Sequence, residues 1–438
     1  MKGAGAAYIF DQISAPLLPR KAKCQWKNRL TVICQIHKSA KWSDGSPLLA
    51  KDYVQTFHEF VNPKTMAYRS DLLLPVLNAE SILRGDKPVS ALGVTARGRT
   101  LTIKLQQPDP TFLLALESPL LTPFDASLQK SAGLYRIEKY DAQKIILKAN
   151  AYYDRRPNRP DLEVSVIYDE AVALKKFELG EIDFLRRVPT AAIDKYEKDP
   201  RLRRFRQLRF DSIYLTAELP MDLRRKLASG LNYEELQKIF VAPPRPGCIG
   251  IPTSWVGGNI CHHFQPTSEK PEPRSLEFWY SKQGGWDFQR LADWLQVSWK
   301  KSLNIDLRTS GVEDKIFVDK LKSQSPALFR KGLVPERATC LAVAQTFSSK
   351  SPENWGKVRD PEIDRWVEEM RTAAPSTQRQ LCQKILTRLL DQAWIIPLGP
   401  IDVVTLLSPQ WKGAEITELN ALNLHDLASV PPARGKSE

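Results

Sequence analysis

Lys38-Ser39-Ala40-Lys41-Trp42-Ser43-Asp44-Gly45-Ser46-Pro47-Leu48 is the stretch on which the fold of this chain is read. Asp-Gly followed by Ser-Pro is strong turn chemistry, because glycine accepts a positive φ and the Asp side chain bonds to backbone beyond it. Directly after it, Lys51 to Val61 reads as a helix with Tyr53, Val54, Phe57 and Val61 on one face. Asn62-Pro63 stops that helix. Before it, residues 23–37 read as a hairpin, with Cys24 and Trp26, a Lys27-Asn28-Arg29 turn, and β-branched residues through Ile36.

Outward from this core, residues 93–107 read as a second strand pair, and Thr111 to Leu116 as a helix after Pro108 and Pro110. Gly133 to Ile137, Lys144 to Lys148 and residues 163–168 read as strands. Glu170 to Leu179 reads as a helix with Gly180 at its C-terminal cap, and Glu181 to Phe184 as the strand after it. The second half alternates helix and strand. Asp222 to Ala228 and Tyr233 to Phe240 read as helices, 241–274 as a long Pro/Gly loop, and Leu276 to Tyr280 as a strand. Trp286 to Lys301 reads as a helix and Ile305 to Arg308 as a strand, an α/β alternation. Pro361 to Ala373 and Thr377 to Ala393 are two long helices before an extended run at Ile395 to Leu398.

The 438 residues allow a large core in more than one domain, and 42% hydrophobic with 26% charged residues excludes a disordered chain. No stretch reaches the ~18 apolar residues of a membrane span; Trp394 to Leu407 is broken by Pro397, Pro400 and Asp402. The start, Met1 to Leu18, is not a signal peptide, because Asp11 and Gln12 cut its apolar run. The six cysteines are scattered without a Cys-x-x-Cys pair and do not define a disulfide framework, although Cys248 and Cys261 share one loop and could pair in an exported protein. Cys261, His262 and His263 are consecutive, so their side chains diverge; no metal and no cofactor is expected.

In this order the elements resemble the extracellular solute-binding family (family 5) that includes the oligopeptide- and dipeptide-binding proteins of ABC importers. The opening stretch resembles the family's Ala-x-Trp-Ser-Asp/Asn-Gly-x-Pro signature, and Ala50-Lys51-Asp52-Tyr53-Val54 its following helix start. Val61-Asn62-Pro63-Lys64-Thr65, Leu92-Gly93-Val94 with Leu101-Thr102-Ile103, and Gly133-Leu134-Tyr135 continue the likeness. So do Asn150-Ala151-Tyr152-Tyr153, Leu179-Gly180-Glu181-Ile182-Asp183 and Arg224-Arg225-Lys226-Leu227. Ile251-Pro252-Thr253-Ser254-Trp255, Asp360-Pro361-Glu362-Ile363-Asp364 and Ile395-Ile396-Pro397-Leu398 complete it. Each motif is weak alone; their order across residues 38–398 carries the resemblance.

The resemblance implies a mixed α/β fold of two lobes, similar to the type II periplasmic binding proteins, with a hinge and an inter-lobe cleft. It places the first lobe at residues 1–217, with 399–438 returning to it, and the second at 218–398. It also implies a non-enzymatic, monomeric receptor in the periplasm or anchored at the cell surface. Such a receptor closes over a peptide or related small solute and hands it to an ABC permease. The alternative is a degenerate member that has lost peptide binding and serves as an interaction or sensing protein.

Departures from the family motivate that alternative. Only about 22 residues precede Lys23, where members carry several dozen more. The cleft aspartate that holds a peptide's ammonium in the family aligns, through Thr339 and Leu341, with Leu333. The stretch around it, Arg330-Lys331-Gly332-Leu333-Val334-Pro335-Glu336-Arg337, carries cations instead. If Arg330, Lys331 and Arg337 face the cleft they favour an anion, and Glu336 is a substitute anchor for an ammonium. Trp255 and Trp355 are candidates to stack on a ligand, against the commoner role of a tryptophan in core or rim.

The net charge of +14 gathers in part between Lys198 and Phe210, where Lys198, Arg201, Arg203, Arg204, Arg206 and Arg209 face one acid, Asp199. An anion-binding patch is the sharper reading and a charged, soluble edge strand the favoured one. No nucleic-acid motif accompanies it, so nucleic acid is not an expected partner. The chain has five histidines, and no Gly-x-Ser-x-Gly, P-loop or Gly-x-Gly-x-x-Gly occurs. Asp109 and Glu117 could be imagined as paired carboxylates, but the resemblance makes their segment a loop and helix of the first lobe.

Overall fold

The structure is a computed structural model that describes residues 4–431 except 66, 68–69, 126, 155–158, 238, 240–246, 263–270, 273, 283–285, 324, 336, 352 and 400–401. Around the opening stretch, Asp44 Oδ1 accepts from the Ser46 backbone N–H and hydroxyl at 2.8 and 2.6 Å. Gly45 takes φ +85°, where a side chain would be strained. The tight turn buries Trp42 and points the chain into the helix Ala50–Val61. Asp52 caps that helix from its third position, accepting the Leu49 N–H at 2.8 Å. Its buried face is Ala50, Tyr53, Phe57 and Val61.

That face covers a four-stranded antiparallel sheet in the order Ala22–Asn28, Thr31–Ile36, Thr100–Lys104, Val94–Arg97. Val32, Cys34 and Ile36 alternate inward along one strand and Leu101 and Ile103 along its neighbour, which closes one core. A second body of the first lobe joins both ends of the chain. The helix Ala4–Ile13 packs against the strand Tyr135–Tyr140 and the short strand Leu422–Asn423. The sheet Tyr135–Tyr140, Lys144–Ala149, Leu162–Ser165 lies in this body, as does the sheet Phe184–Leu185, Asp402–Leu407, Leu202–Arg206. Leu202–Arg206 ends the latter sheet among the described residues; Arg204 pairs with Glu197 and Arg206 with Asp402, while Arg203 donates to the backbone carbonyls of Pro200 and Leu202. This is the charged edge expected from sequence.

The second lobe is built on a mixed five-stranded sheet, in the order Ile305–Val312, Arg274–Ser281, Leu328–Leu333, Phe210–Leu215, Ile395–Gly399. Its two faces alternate. Ile213 and Leu215 join Phe278, Leu328 and Ile396 under the helices Met221–Ser229 and Trp286–Leu303. Phe210, Tyr214, Phe329 and Ile395 join the core under Pro361–Thr372 and Pro375–Asp391.

The lobe boundary differs from the expected one. Phe210–Leu215 pairs with Leu328–Leu333 on one side and Ile395–Gly399 on the other, so it is an interior strand of the second lobe. The chain therefore crosses between lobes at 207–209, not at 217–218, and Asp402–Leu407 lies back in the first lobe. The expected boundary came from the family resemblance, whereas hydrogen-bond pairing decides membership of a sheet.

The cysteines also depart from expectation. All six are paired, as Cys24–Cys34, Cys248–Cys261 and Cys340–Cys382. Cys24 and Cys34 face each other across the first hairpin. Cys340 and Cys382 join the short helix Cys340–Ala344 to Pro375–Asp391 across a separation of 42 residues. Scattered spacing hid this, because partners meet through folding and not through sequence proximity. Thiol titration of the denatured, unreduced protein is expected to find no free thiol. The double variant Cys340→Ala/Cys382→Ala is expected to lose about 2–4 kcal/mol in urea unfolding.

Candidate functional site

The residues singled out from sequence lie on and just beyond the strand Leu328–Leu333, next to the crossing at 207–209. Alternation along this strand sends their side chains to different places. Leu333 is buried in the second-lobe core opposite Phe210, so the position that aligns with the family's aspartate is packing and does not line a cleft. Trp355 is buried in the same core, and Trp255 packs against it. Trp355 takes the structural role, while Trp255 is half-buried at the edge of that core. Lys331 is half-buried with its ammonium 4.8 Å from the centre of the Trp355 ring, and burial pulls its pKa down. Glu336 lies outside the described residues.

Arg330 is 4% exposed and forms an ion pair with Asp211, whose side chain has no exposed surface. Its guanidinium lies 3.3 Å from the centre of the Phe288 ring. Burial lowers its pKa to about 9, against the opposing pull of Asp211. Arg209, from the crossing segment, brings its Nε to 3.0 Å from the same Asp211 oxygen. A Cβ at Gly332 would sit 2.5 Å from the Arg209 Nε, so a larger residue there would displace the Arg209 side chain.

Two further contacts join the lobes. Arg337, 3% exposed, donates from Nη1 to Asp109 Oδ2 at 2.9 Å and to the Thr111 hydroxyl at 3.0 Å. Asp109 and Thr111 belong to the first lobe, at the entry to the helix Phe112–Ala115. Asp287, at the start of Trp286–Leu303, accepts from Thr190 Oγ1 at 2.7 Å and from Arg187 Nη2 at 3.3 Å, both first-lobe groups. The structure thus gathers Arg187, Thr190, Arg209, Asp211, Asp287 and Arg330 at one junction and Asp109, Thr111 and Arg337 at another. Asp109 does not pair with Glu117; its charge is met by Arg337.

Sequence reasoning missed Asp211, Asp287, Arg187 and Thr190. Arg330 lies 119 residues from Asp211 and Arg187 lies 100 from Asp287, so no local spacing marks them. The one available signal was Asp109 between two prolines, a charged residue in a segment otherwise built for burial.

Comparison with known proteins now bears on this two-lobed arrangement. Residues 19–246 match the family model described as bacterial extracellular solute-binding proteins, family 5 Middle. The chain belongs to this family. It is 23% identical to the periplasmic oligopeptide-binding protein OppA of Salmonella typhimurium, over 89% of this chain and 80% of OppA. It is 24% identical to the probable deoxycholate-binding periplasmic protein YgiS of Escherichia coli, over 86% of this chain and 78% of YgiS. Among solved structures, Haemophilus influenzae OppA in complex with RPPGFSPFR superposes with a TM-score of 0.85 at 19% identity, covering 98% of this chain and 95% of that one. The unliganded open form of the murein tripeptide binding protein MppA gives 0.70 at 19% identity, over 96% and 92%. The fold is that of the family 5 solute-binding proteins.

Asp211→Asn is expected to leave Arg330 buried without its counter-charge and to cost about 3–5 kcal/mol in chemical unfolding. The double variant Asp211→Asn/Arg330→Met recovers most of that loss. Equal losses in the two variants would show that the pair is not coupled.

Proposed function

We propose that the chain is a monomeric solute-binding receptor of an ABC importer that takes a peptide or related small solute between its lobes. The observation that carries this reading is spare hydrogen-bonding capacity at the lobe junction. Asp211 Oδ1 and Asp287 Oδ1 are buried acceptors with no partner, and Arg330 Nε is a buried donor with none. Buried polar groups are ordinarily satisfied. Two acceptors beside one donor suit a ligand that presents both kinds of group, as a peptide main chain and its ammonium do. An anion alone suits them less, because Arg330, Arg209 and Arg337 already hold carboxylates.

The disulfides support export. Cytosolic thiols are kept reduced, whereas paired cysteines persist in the periplasm or at the cell surface. Within that compartment the natural macromolecular partner is a permease, which accepts the solute when the lobes part. No catalytic step is part of this reading.

A second reading is favoured by a specific observation. Leu333 supplies no carboxylate, and Arg337 is already engaged with Asp109. A family member so arranged has lost peptide capture and works by contact with another protein.

Native mass spectrometry of the purified protein, with thermal shift against pools of di- to pentapeptides, separates the two. The receptor reading expects a co-purified or added peptide and a rise in melting temperature. An empty protein with flat thermal profiles across all pools overturns it and leaves the second reading. Where a peptide binds, Asp287→Asn is expected to weaken it by about tenfold or more, the loss of a charge-assisted hydrogen bond.

A further inference from the structure

We propose that the two lobes latch onto each other without a ligand, through ionic contacts that the chain supplies across its own cleft. Two seams carry this inference, the first buried and the second half-buried. At the first, the second lobe's Arg337 reaches the first lobe's Asp109 at 2.9 Å. At the second, the second lobe's Asp287 receives the first lobe's Thr190 at 2.7 Å and Arg187 at 3.3 Å.

The first-lobe partners are held in place by their own lobe. Asp109 Oδ1 accepts the Thr111 N–H at 2.9 Å and its hydroxyl at 2.8 Å, which leaves Oδ2 turned toward Arg337. Arg187 is steadied by Glu170, 3.4 Å from its Nε. Little ordering is then left to do when the lobes meet, which lowers the entropic cost of closing.

The polarity of the seams is reciprocal. At one the first lobe presents the acid and the second the base; at the other the roles are exchanged. A twisted or shifted closure brings like charges together or leaves one pair apart, so only one closed register satisfies both. This is the use of buried charge best attested in proteins, the choice of one register among several.

Matching of charge is what permits closing while empty. A receptor whose cleft charges await a ligand strands them out of water if it shuts alone, and a buried charge without a partner is strongly unfavourable. Here Arg337, Asp109 and Asp287 have protein partners in the closed state. What remains unmet at the junction is single hydrogen-bonding positions, not whole charges.

The test is a distance distribution from two nitroxide labels, on cysteines placed at exposed Lys51 in the first lobe and exposed Lys322 in the second. Every native cysteine is paired, so the labels are unique. The protein is used after native mass spectrometry has shown it empty. The wild-type chain is expected to give one short, narrow distance, unchanged by added peptide. Arg337→Gln and Thr190→Val, one at each seam, are expected to shift the major population to a longer, broader distance. Thr190→Val removes a single hydroxyl contact, so it keeps the test open if Arg337→Gln does not fold. A wild-type chain that is open when empty and shortens only with peptide overturns the latch. So does a wild type that stays short while both folded variants stay equally short. Failure to bind any peptide sinks the receptor reading alone, because the latch is read on the empty protein.

Discussion

The carboxylate of Asp211 is the constraint on which the two-lobed arrangement rests. It sits at the second residue of the strand that the chain enters directly after crossing from the first lobe. Arg209 approaches it from the crossing segment and Arg330 from the neighbouring strand. A carboxylate with no exposed side chain and two guanidiniums around it fixes three elements at once: the end of the crossing, the central strand and the strand beside it. Burial of these charges is expensive, and the expense is offset only while the geometry holds. This crossing is therefore anchored on its second-lobe side. The close fit of Gly332 against Arg209 follows from the same crowding.

Much of the fold was legible because it is written in local chemistry. The Asp44-Gly45 turn, the helix face Tyr53, Phe57, Val61 and the alternation of Val32, Cys34 and Ile36 each depend on residues a few positions apart. The helices Met221–Ser229, Trp286–Leu303, Pro361–Thr372 and Pro375–Asp391 were legible for the same reason, to within a turn at their ends, whereas Asp314–Ser323 and Cys340–Ala344 were not read. The strand Phe210–Leu215 was assigned to the wrong lobe because its partners are Leu328–Leu333 and Ile395–Gly399, far along the chain. A strand buried on both faces carries no alternation of polar and apolar residues, and this one is buried at every position. Its sequence says strand and does not say which sheet.

The site was less legible than the fold, and the reason lies in particular residues. The run from Arg330 to Arg337 looks like one cationic surface when written in a line. Folded, it splits: Arg330 goes to Asp211, Lys331 to the Trp355 ring, Leu333 into the core, and Arg337 across to Asp109. Period-two alternation accounts for the first part of this divergence and the departure of the chain from the sheet for the rest. The charge count could not reveal it either, since the acids that meet these arginines come from two distant segments.

That redistribution changes what the basic character of the chain means. An excess of cations on a binding protein suggests an anionic ligand only if the cations lie unmatched where the ligand goes. Here the arginines nearest the junction are matched, and the strand Leu202–Arg206 spends its charge on neighbours within the first lobe. The positive charge left over is spread on solvated surface, where it keeps an edge strand from pairing and screens out within about 8–10 Å at ordinary salt. On the receptor reading proposed above, selectivity at the junction comes from hydrogen-bond geometry at Asp211, Asp287 and Arg330, which distinguishes solutes by where their donors and acceptors lie and not by their net charge.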